Sequence, residues 1–265
     1  VLGGNVVVDS AGTLGGYGKI GVNLTVAGTL APGNSIGTLS VGGNAGFTAT
    51  STYAVELNTS TGAADKTVVD GAATIATGAV LDVDRSGSGP YLVGTRYTVL
   101  TAAGGITGLF ALTGDTYLTP FYDLGLVSDG TTMALEVEKT TQFADAALTF
   151  NQRNTAAALD RLPADGALSF AVGNQASFAA ARVAFDLLSG ELYASAKTVF
   201  IEDSRFVRNA MNDRLRAATD AVATASAPAL AYVKGVPTKV APTHDGLVFW
   251  ATGFGSWGSI DTDGN

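Results

Sequence analysis

Short runs of alternating apolar and polar residues dominate the first half of the chain. Asn5-Val6-Val7-Val8, Val22-Asn23-Leu24-Thr25-Val26, Thr38-Leu39-Ser40-Val41, Tyr53-Ala54-Val55-Glu56-Leu57 and Val80-Leu81-Asp82-Val83 lie between Gly, Asn or Pro corners, the signature of brief β-strands. Gly-Thr-Leu recurs at Gly12-Thr13-Leu14, Gly28-Thr29-Leu30 and Gly37-Thr38-Leu39. Irregular recurrence of short strands predicts a β-solenoid, in which the inward Val, Leu and Ile of one coil are covered only by the next. A β-sandwich also uses many short strands, but the repeated tripeptide and scarce charge favour stacked coils. Tyr91–Leu100 and Met133–Glu138 are longer and better alternating. They predict an antiparallel cap over the open end, which satisfies otherwise unpaired backbone groups. Glu136 and Glu138 share one face of their strand and suit a solvated face or a charged edge.

From residue 141 the period changes. Phe143, Ala147, Phe150, Asn154, Ala157 and Ala158 recur at helical spacing until Pro163 and Gly166. Phe178, Ala181, Phe185 and Leu188 form a second stripe ended by Gly190, and Leu192, Ala196, Val199, Phe200, Val207, Ala210, Met211 and Leu215 form a third. These predict helices with one apolar face. Glu202, Asp203, Arg205, Arg208, Asp213, Arg214 and Arg216 make the opposite, solvated face of the third, and the three together read as a small antiparallel bundle.

Composition sharpens these divisions. Residues 1–140 hold 25 of the 34 glycines, whereas 141–225 hold three glycines and 22 alanines, and Ala favours helix where Gly opposes it. Pro228, Pro237 and Pro242 mark 226–246 as a linker, and 247–265 is aromatic and alternating. A net charge of −8 argues against nucleic-acid partners. The absence of cysteine excludes disulfides, redox thiols and cysteine-ligated metals. A single histidine, His244, makes His-rich metal centres and most His-based catalysis improbable. No apolar run approaches the roughly 18 residues of a membrane helix. The opening Val1-Leu2-Gly3-Gly4 carries no signal peptide or initiator Met and reads as an internal piece of a longer protein.

The run Leu30-Ala31-Pro32-Gly33-Asn34-Ser35-Ile36-Gly37-Thr38-Leu39, followed by Tyr53-Ala54-Val55-Glu56-Leu57-Asn58, resembles the late passenger repeats of bacterial autotransporters (type V secretion). The helical zone, with Phe150-Asn151-Gln152-Arg153-Asn154 and Leu188-Ser189-Gly190-Glu191-Leu192-Tyr193, is similar to the segment preceding their translocator barrel. Phe249-Trp250-Ala251-Thr252-Gly253-Phe254-Gly255-Ser256-Trp257-Gly258 resembles the first barrel strand. Together these cover almost the whole chain in the family's order, without upstream passenger coils or later barrel strands. The resemblance implies a right-handed parallel β-helix with an autochaperone-like antiparallel cap over 1–140, an α-helical connector over 141–225, the linker over 226–246 and one barrel-type strand within 247–265. It further implies a place in the outer membrane or at the cell surface of a Gram-negative bacterium. Partners are then the protein's own translocator barrel and passenger, and the outer membrane through that barrel. The lack of cysteine suits a chain that threads a pore unfolded from an oxidising periplasm.

Asp82 and Asp84, two residues apart on one outward strand face with Arg85 beside them, could bind Ca²⁺ weakly, but a solvated strand face is the simpler account. Gly87-Ser88-Gly89 lacks the strand-to-helix setting of a nucleophile elbow, and His244 lies in a Pro-rich stretch. Gly15-Gly16-Tyr17-Gly18 and Gly42-Gly43-Asn44 precede no predicted helix and do not qualify as phosphate loops. Asn23-Leu24-Thr25 and Asn58-Thr59-Ser60 match the glycosylation acceptor pattern, uninformative in a bacterial protein. The expectation is therefore a non-enzyme, with no catalytic, cofactor-binding or metal residues, and the resemblance implies that it supports secretion and folding of its own passenger. The alternatives are an adhesin surface and a polysaccharide-active β-helix enzyme. Leu247, Phe249, Ala251 and Trp257 alternate with Val248, Trp250, Thr252 and Phe254, so 247–260 should pair with another strand, either in a neighbouring copy, which is preferred, or along an exposed edge of residues 1–140.

Overall fold

A computed structural model describes residues 1–218, 230–233, 236–239 and Gly253. The chain forms two compact units, Val1–Ser189 and Gly190–Asn265. In the first, strands succeed one another around three sheets. The first round is β1 (Val6–Val8), β2 (Thr13–Gly16) and β3 (Gly18–Ile20); the second is β4 (Leu24–Val26), β5 (Thr29–Pro32) and β6 (Thr38–Val41). Next come β7 (Ala45–Phe47), β8 (Thr52–Asn58) with the short β9 (Ala63–Ala64), and β10 (Lys66–Val69). Then follow β11 (Ala73–Ile75), β12 (Val80–Ser86) and β13 (Arg96–Ala102), and finally β14 (Ile106–Thr107), β15 (Ala111–Gly114) and β16 (Tyr117–Thr119).

The sheet orders β1-β4-β7-β11-β14, β2-β5-β8-β12-β15 and β3-β6-β10-β13 show that each strand pairs with its equivalent in the next coil, in parallel. This mainly-β, parallel arrangement is the expected β-solenoid fold class. Its inward residues stack in register: Leu24 on Ala45 and Val26 on Phe47, then Ala73 and Ile75, all buried. Phe47, Tyr53 and Phe110 meet within the core, with ring centroids 4.9 to 5.6 Å apart. The Tyr53 hydroxyl donates to the Val99 carbonyl and hydrogen-bonds Thr67 Oγ1 at 3.0 Å, so the one polar tip in this layer is satisfied.

Only two of the three Gly-Thr-Leu tripeptides are equivalent. Thr13-Leu14 and Thr29-Leu30 lie in register on one sheet, while Thr38-Leu39 opens β6 on another.

The antiparallel cap is built by β17 (Tyr122–Ser128) and β18 (Thr132–Lys139). β18 pairs antiparallel with β13 on one side and β17 on the other. Of the expected Tyr91–Leu100 strand, the part from Arg96 is regular strand, and Gly94 and Thr95 already exchange backbone hydrogen bonds with Val137. Asp129 turns the hairpin by accepting the N–H groups of Thr131 and Thr132.

Four helices follow: α1 (Phe143–Ala146), α2 (Phe150–Leu159), α3 (Ala167–Gly173) and α4 (Phe178–Leu188). The helical stripe beginning at Phe143 is interrupted because Thr149 and Gln152 form a reciprocal capping box that starts a new helix. The helices are fixed to the cap at several points. Thr119 Oγ1 donates to the Gly173 carbonyl at 2.8 Å, Tyr122 Oη to the Ser169 carbonyl at 3.1 Å, and Asn174 exchanges hydrogen bonds with the backbone of Tyr91. Phe121 packs edge-on against Phe143 at 5.0 Å.

In the second unit, α5 (Glu191–Ala218) is a single long helix, and β19 (Leu230–Val233) pairs antiparallel with β20 (Val236–Lys239) inside the Pro-containing stretch. The barrel-type strand expected within 247–265, and the pairing expected for 247–260, lie outside the described residues. No described helix is long and apolar enough to cross a membrane.

Candidate functional site

A concavity lined by four carboxylates lies on the sheet containing β5, β8 and β12. In β12 the burial alternates strictly, with Leu81 and Val83 inward and Asp82 and Asp84 outward. Parallel pairing places Asp84 directly against Glu56, and Asp82 between Ala54 and Thr113. Thr113 donates its hydroxyl to Asp82 Oδ1 at 3.0 Å. A cavity of about 230 Å³ opens beside them, walled by Pro32, Gly33, Glu56, Asp65, Asp82 and Asp84.

Asp65, which the sequence reading did not single out, is the buried member of this wall. Its Oδ1 accepts the N–H of Gly37 at 2.7 Å and its Oδ2 the N–H of Glu56 at 2.9 Å. Burial pushes its carboxyl above the usual range, the two N–H donors oppose that shift, and the Glu56 charge adds to it. Nothing in the alternation around Asp65 marks it, because its role depends on a turn and a strand that meet it only after coiling.

Arg85 does not join the carboxylates. It pairs with Leu57 on the other face of β12, and its guanidinium donates to Tyr91 Oη at 3.0 Å and to the Tyr117 carbonyl at 3.3 Å. The sequence neighbours Asp84 and Arg85 are thus separated by the pleat of the strand, and Arg85 braces the cap. Among the described residues, no group of three or more His, Cys, Asp or Glu side chains is arranged to hold a metal ion.

The other singled-out residues serve the coil. Gly87 has φ +77° and, with Ser88, meets Ser60 and Asn58 of the neighbouring coil. Asn58 caps its own turn, accepting from Ser60 and Thr61. Gly16 and Gly18 shape the β2–β3 corner with φ +98° and +135°, conformations that side chains disfavour. Glu136 pairs with Arg96 at 2.6 Å, and the Glu138 carboxyl lies across Gly125. His244 lies outside the described residues.

Asn23 and Asn44 belong to a ladder. Asn5 Oδ1 accepts the N–H of Asn23 at 3.2 Å, Asn23 Oδ1 that of Asn44 at 2.8 Å, and Asn44 Oδ1 that of Ala72 at 2.8 Å. The bonds run in one direction from coil to coil. A Cβ on Gly43 would fall 2.4 Å from Asn23 Oδ1, and one on Gly71 2.3 Å from Asn44 Oδ1. At Gly43 and Gly71 the glycine leaves room for the side chain of the preceding coil, whereas Val22 stands ahead of Asn23.

Fold and surface together define a β-solenoid protein with a buttressed end. In sequence, the chain is similar to two proteins of Serratia marcescens, each described as an extracellular serine protease. It is 27% identical to them over 310 and 311 aligned positions, which cover 98% of this chain and 28% of each relative. The chain thus spans a little over a quarter of the length of the relatives it matches. No protein-family model matches it.

The expectation of a non-enzyme is corrected by these relatives, since both carry a protease description. It rested on Asp82, Asp84 and Arg85, Gly87-Ser88-Gly89, the glycine clusters and His244 each having a simpler structural account within these 265 residues. A residue inventory of these 265 residues covers only 28% of the length of the relatives that carry the protease description.

Proposed function

We propose that this chain is the coil-terminating part of an extracellular, autotransporter-type protein related to the Serratia serine proteases, and that it directs folding and surface delivery of the passenger to which it belongs. In this reading residues 1–140 end the passenger, 141–225 connect it to the secretion apparatus, and 247–265 begin an outer-membrane barrel. Proteolysis, named in the relatives, is then an activity of the whole protein for which this segment is scaffold and folding nucleus. One observation carries the reading: the last coils are covered by an antiparallel cap that is tied to α3 and its C-cap through Thr119, Tyr122 and Asn174. A solenoid propagates by nearest-neighbour stacking, so a buttressed end supplies the nucleus on which less supported coils assemble.

Pulsed hydrogen exchange during refolding of the full chain tests this. The amides of Leu124 and Val137 in the cap should gain protection before those of Leu24 and Val26 in the coils. Protection of the coils first, or of both together, would overturn the nucleus role.

A further inference from the structure

The core of the solenoid holds two hydroxyls at positions where the neighbouring coils carry leucine. Tyr53 stands in register between Leu30 and Leu81, and Thr67 between Leu39 and Leu100. Tyr53 and Thr67 are fully buried, so each hydroxyl needs a partner inside. They meet each other at 3.0 Å, and the Tyr53 hydroxyl also reaches the Val99 carbonyl at 2.5 Å. A phenol has one proton, so Tyr53 donates to Val99 while Thr67 donates to the Tyr53 oxygen. Burial raises the Tyr53 phenol well above its usual range, and it keeps that proton.

Val99 is the irregular residue of β13. On one edge β13 pairs parallel with β10, and on the other antiparallel with β18. Thr98 lies opposite Ala134 but Leu100 opposite Met133, so Val99 is the extra residue of a β-bulge. The bulge reverses the strand's alternation: Tyr97 and Val99 are buried before it, Leu100 and Ala102 after it. Backbone bonds tie β13 to the β17–β18 hairpin on both sides of this point. The Val137 N–H donates to the Thr95 carbonyl, and the Ala102 N–H to the Thr131 carbonyl. On this sheet, parallel addition ends at the strand that carries the bulge.

We propose that Tyr53 is the positioning residue of the cap: its hydroxyl, supported by Thr67, holds the Val99 carbonyl and so fixes the bulged register in which β18 joins β13. Without the bulge, the residues on one side of Val99 would turn their buried faces outward, since a shift of one residue moves side chains to the opposite face of a sheet. The signal that ends parallel coiling on this sheet therefore comes from inside the preceding coil, on β8 and β10, and not from the hairpin itself. This inference does not rest on the order of folding proposed above, because a cap held by Tyr53 can form first or last.

Amide hydrogen exchange in the native full chain tests it. Tyr53→Phe keeps the ring and should speed exchange at Ala102 and Val137, one on each side of the bulge, by about tenfold. Leu24 and Ala45, whose amides bond within the coils, should keep their rates. Thr67→Val leaves the Tyr53–Val99 bond in place and should change the cap amides little. Combining Thr67→Val with Tyr53→Phe removes the stranded Thr67 hydroxyl without restoring the donor to Val99, so the cap amides should stay fast. Equal acceleration of Ala45 and Val137 by Tyr53→Phe would reduce the hydroxyl to ordinary core support and overturn the proposal. Unchanged exchange at Ala102 and Val137, or its recovery in the double variant, would overturn it as well.

Discussion

The hydroxyl end of Tyr122 occupies the space in which a side chain on Gly173 would begin: a Cβ there would lie 1.8 Å from Oη and 2.0 Å from Cζ. Tyr122 is buried and its hydroxyl donates to Ser169, so the ring cannot swing aside. Gly173→Ala should therefore lower unfolding stability by about 1–3 kcal/mol, the usual range for overpacking, read from urea titrations. Tyr122→Phe in the same chain should not restore it, because the ring carbons still clash.

The ladder predicts a smaller and different effect. Asn44→Ala removes the acceptor of the Ala72 N–H and should cost about 1 kcal/mol, measured by thermal or urea unfolding. Asn44→Asp keeps an oxygen at 2.8 Å from that donor and should recover most of the loss. Gly71→Ala should cost more than Asn44→Ala, since its Cβ would also lie 2.7 Å from the Gly43 carbonyl, and Asn44→Ala should relieve it only in part.

Asp65 sets a pH dependence. Its folded carboxyl titrates above the unfolded one, chiefly because it is buried, so the folded state holds the proton more tightly. Its contribution is then fully present below the unfolded value and lost as pH rises through the folded one. The stability of the native chain minus that of Asp65→Asn should grow as pH falls from neutral toward 4. A difference independent of pH would show that the two N–H donors from Gly37 and Glu56 cancel the burial.

Two ion pairs of similar length should differ sharply on mutation. Arg96–Glu136 spans 2.6 Å with the Arg side chain largely exposed, whereas Lys139–Asp160 spans 2.5 Å with both side chains at most 15% exposed. Asp160 also accepts the N–H groups of Phe143 and Ala144, and Lys139 lies 3.6 Å over the Phe143 ring. Arg96→Ala should cost under about 1 kcal/mol. Asp160→Ala should cost about 3–5 kcal/mol, because it strands a largely buried ammonium and two helix-start N–H groups. Unfolding titrations of the two single variants decide the comparison.

Val26→Asp should abolish the cooperative unfolding of the coils seen by circular dichroism. Val26 is fully buried between Val8 and Phe47 in register, and an unpaired carboxylate there costs several kcal/mol.

What the sequence by itself determined is the alternation. Runs such as Thr38–Val41 and Tyr53–Leu57 state which residues face inward, because a strand has a period of two whatever it pairs with. The helical stripes at Phe178, Ala181 and Phe185 are equally local, as is the outward placement of Asp82 and Asp84. The tertiary structure decided everything that depends on stacking. It assigned Thr13 and Thr29 to one sheet and Thr38 to another, split Asp84 from Arg85 across a strand, and buried Asp65 between Gly37 and Glu56. It also aligned Asn5, Asn23, Asn44 and Ala72 on one edge, although their separations along the chain are unequal. Coils of unequal length hide such a ladder from any fixed period. Only the closing of backbone hydrogen bonds between successive turns sets each coil's registration, and with it the neighbours of each side chain.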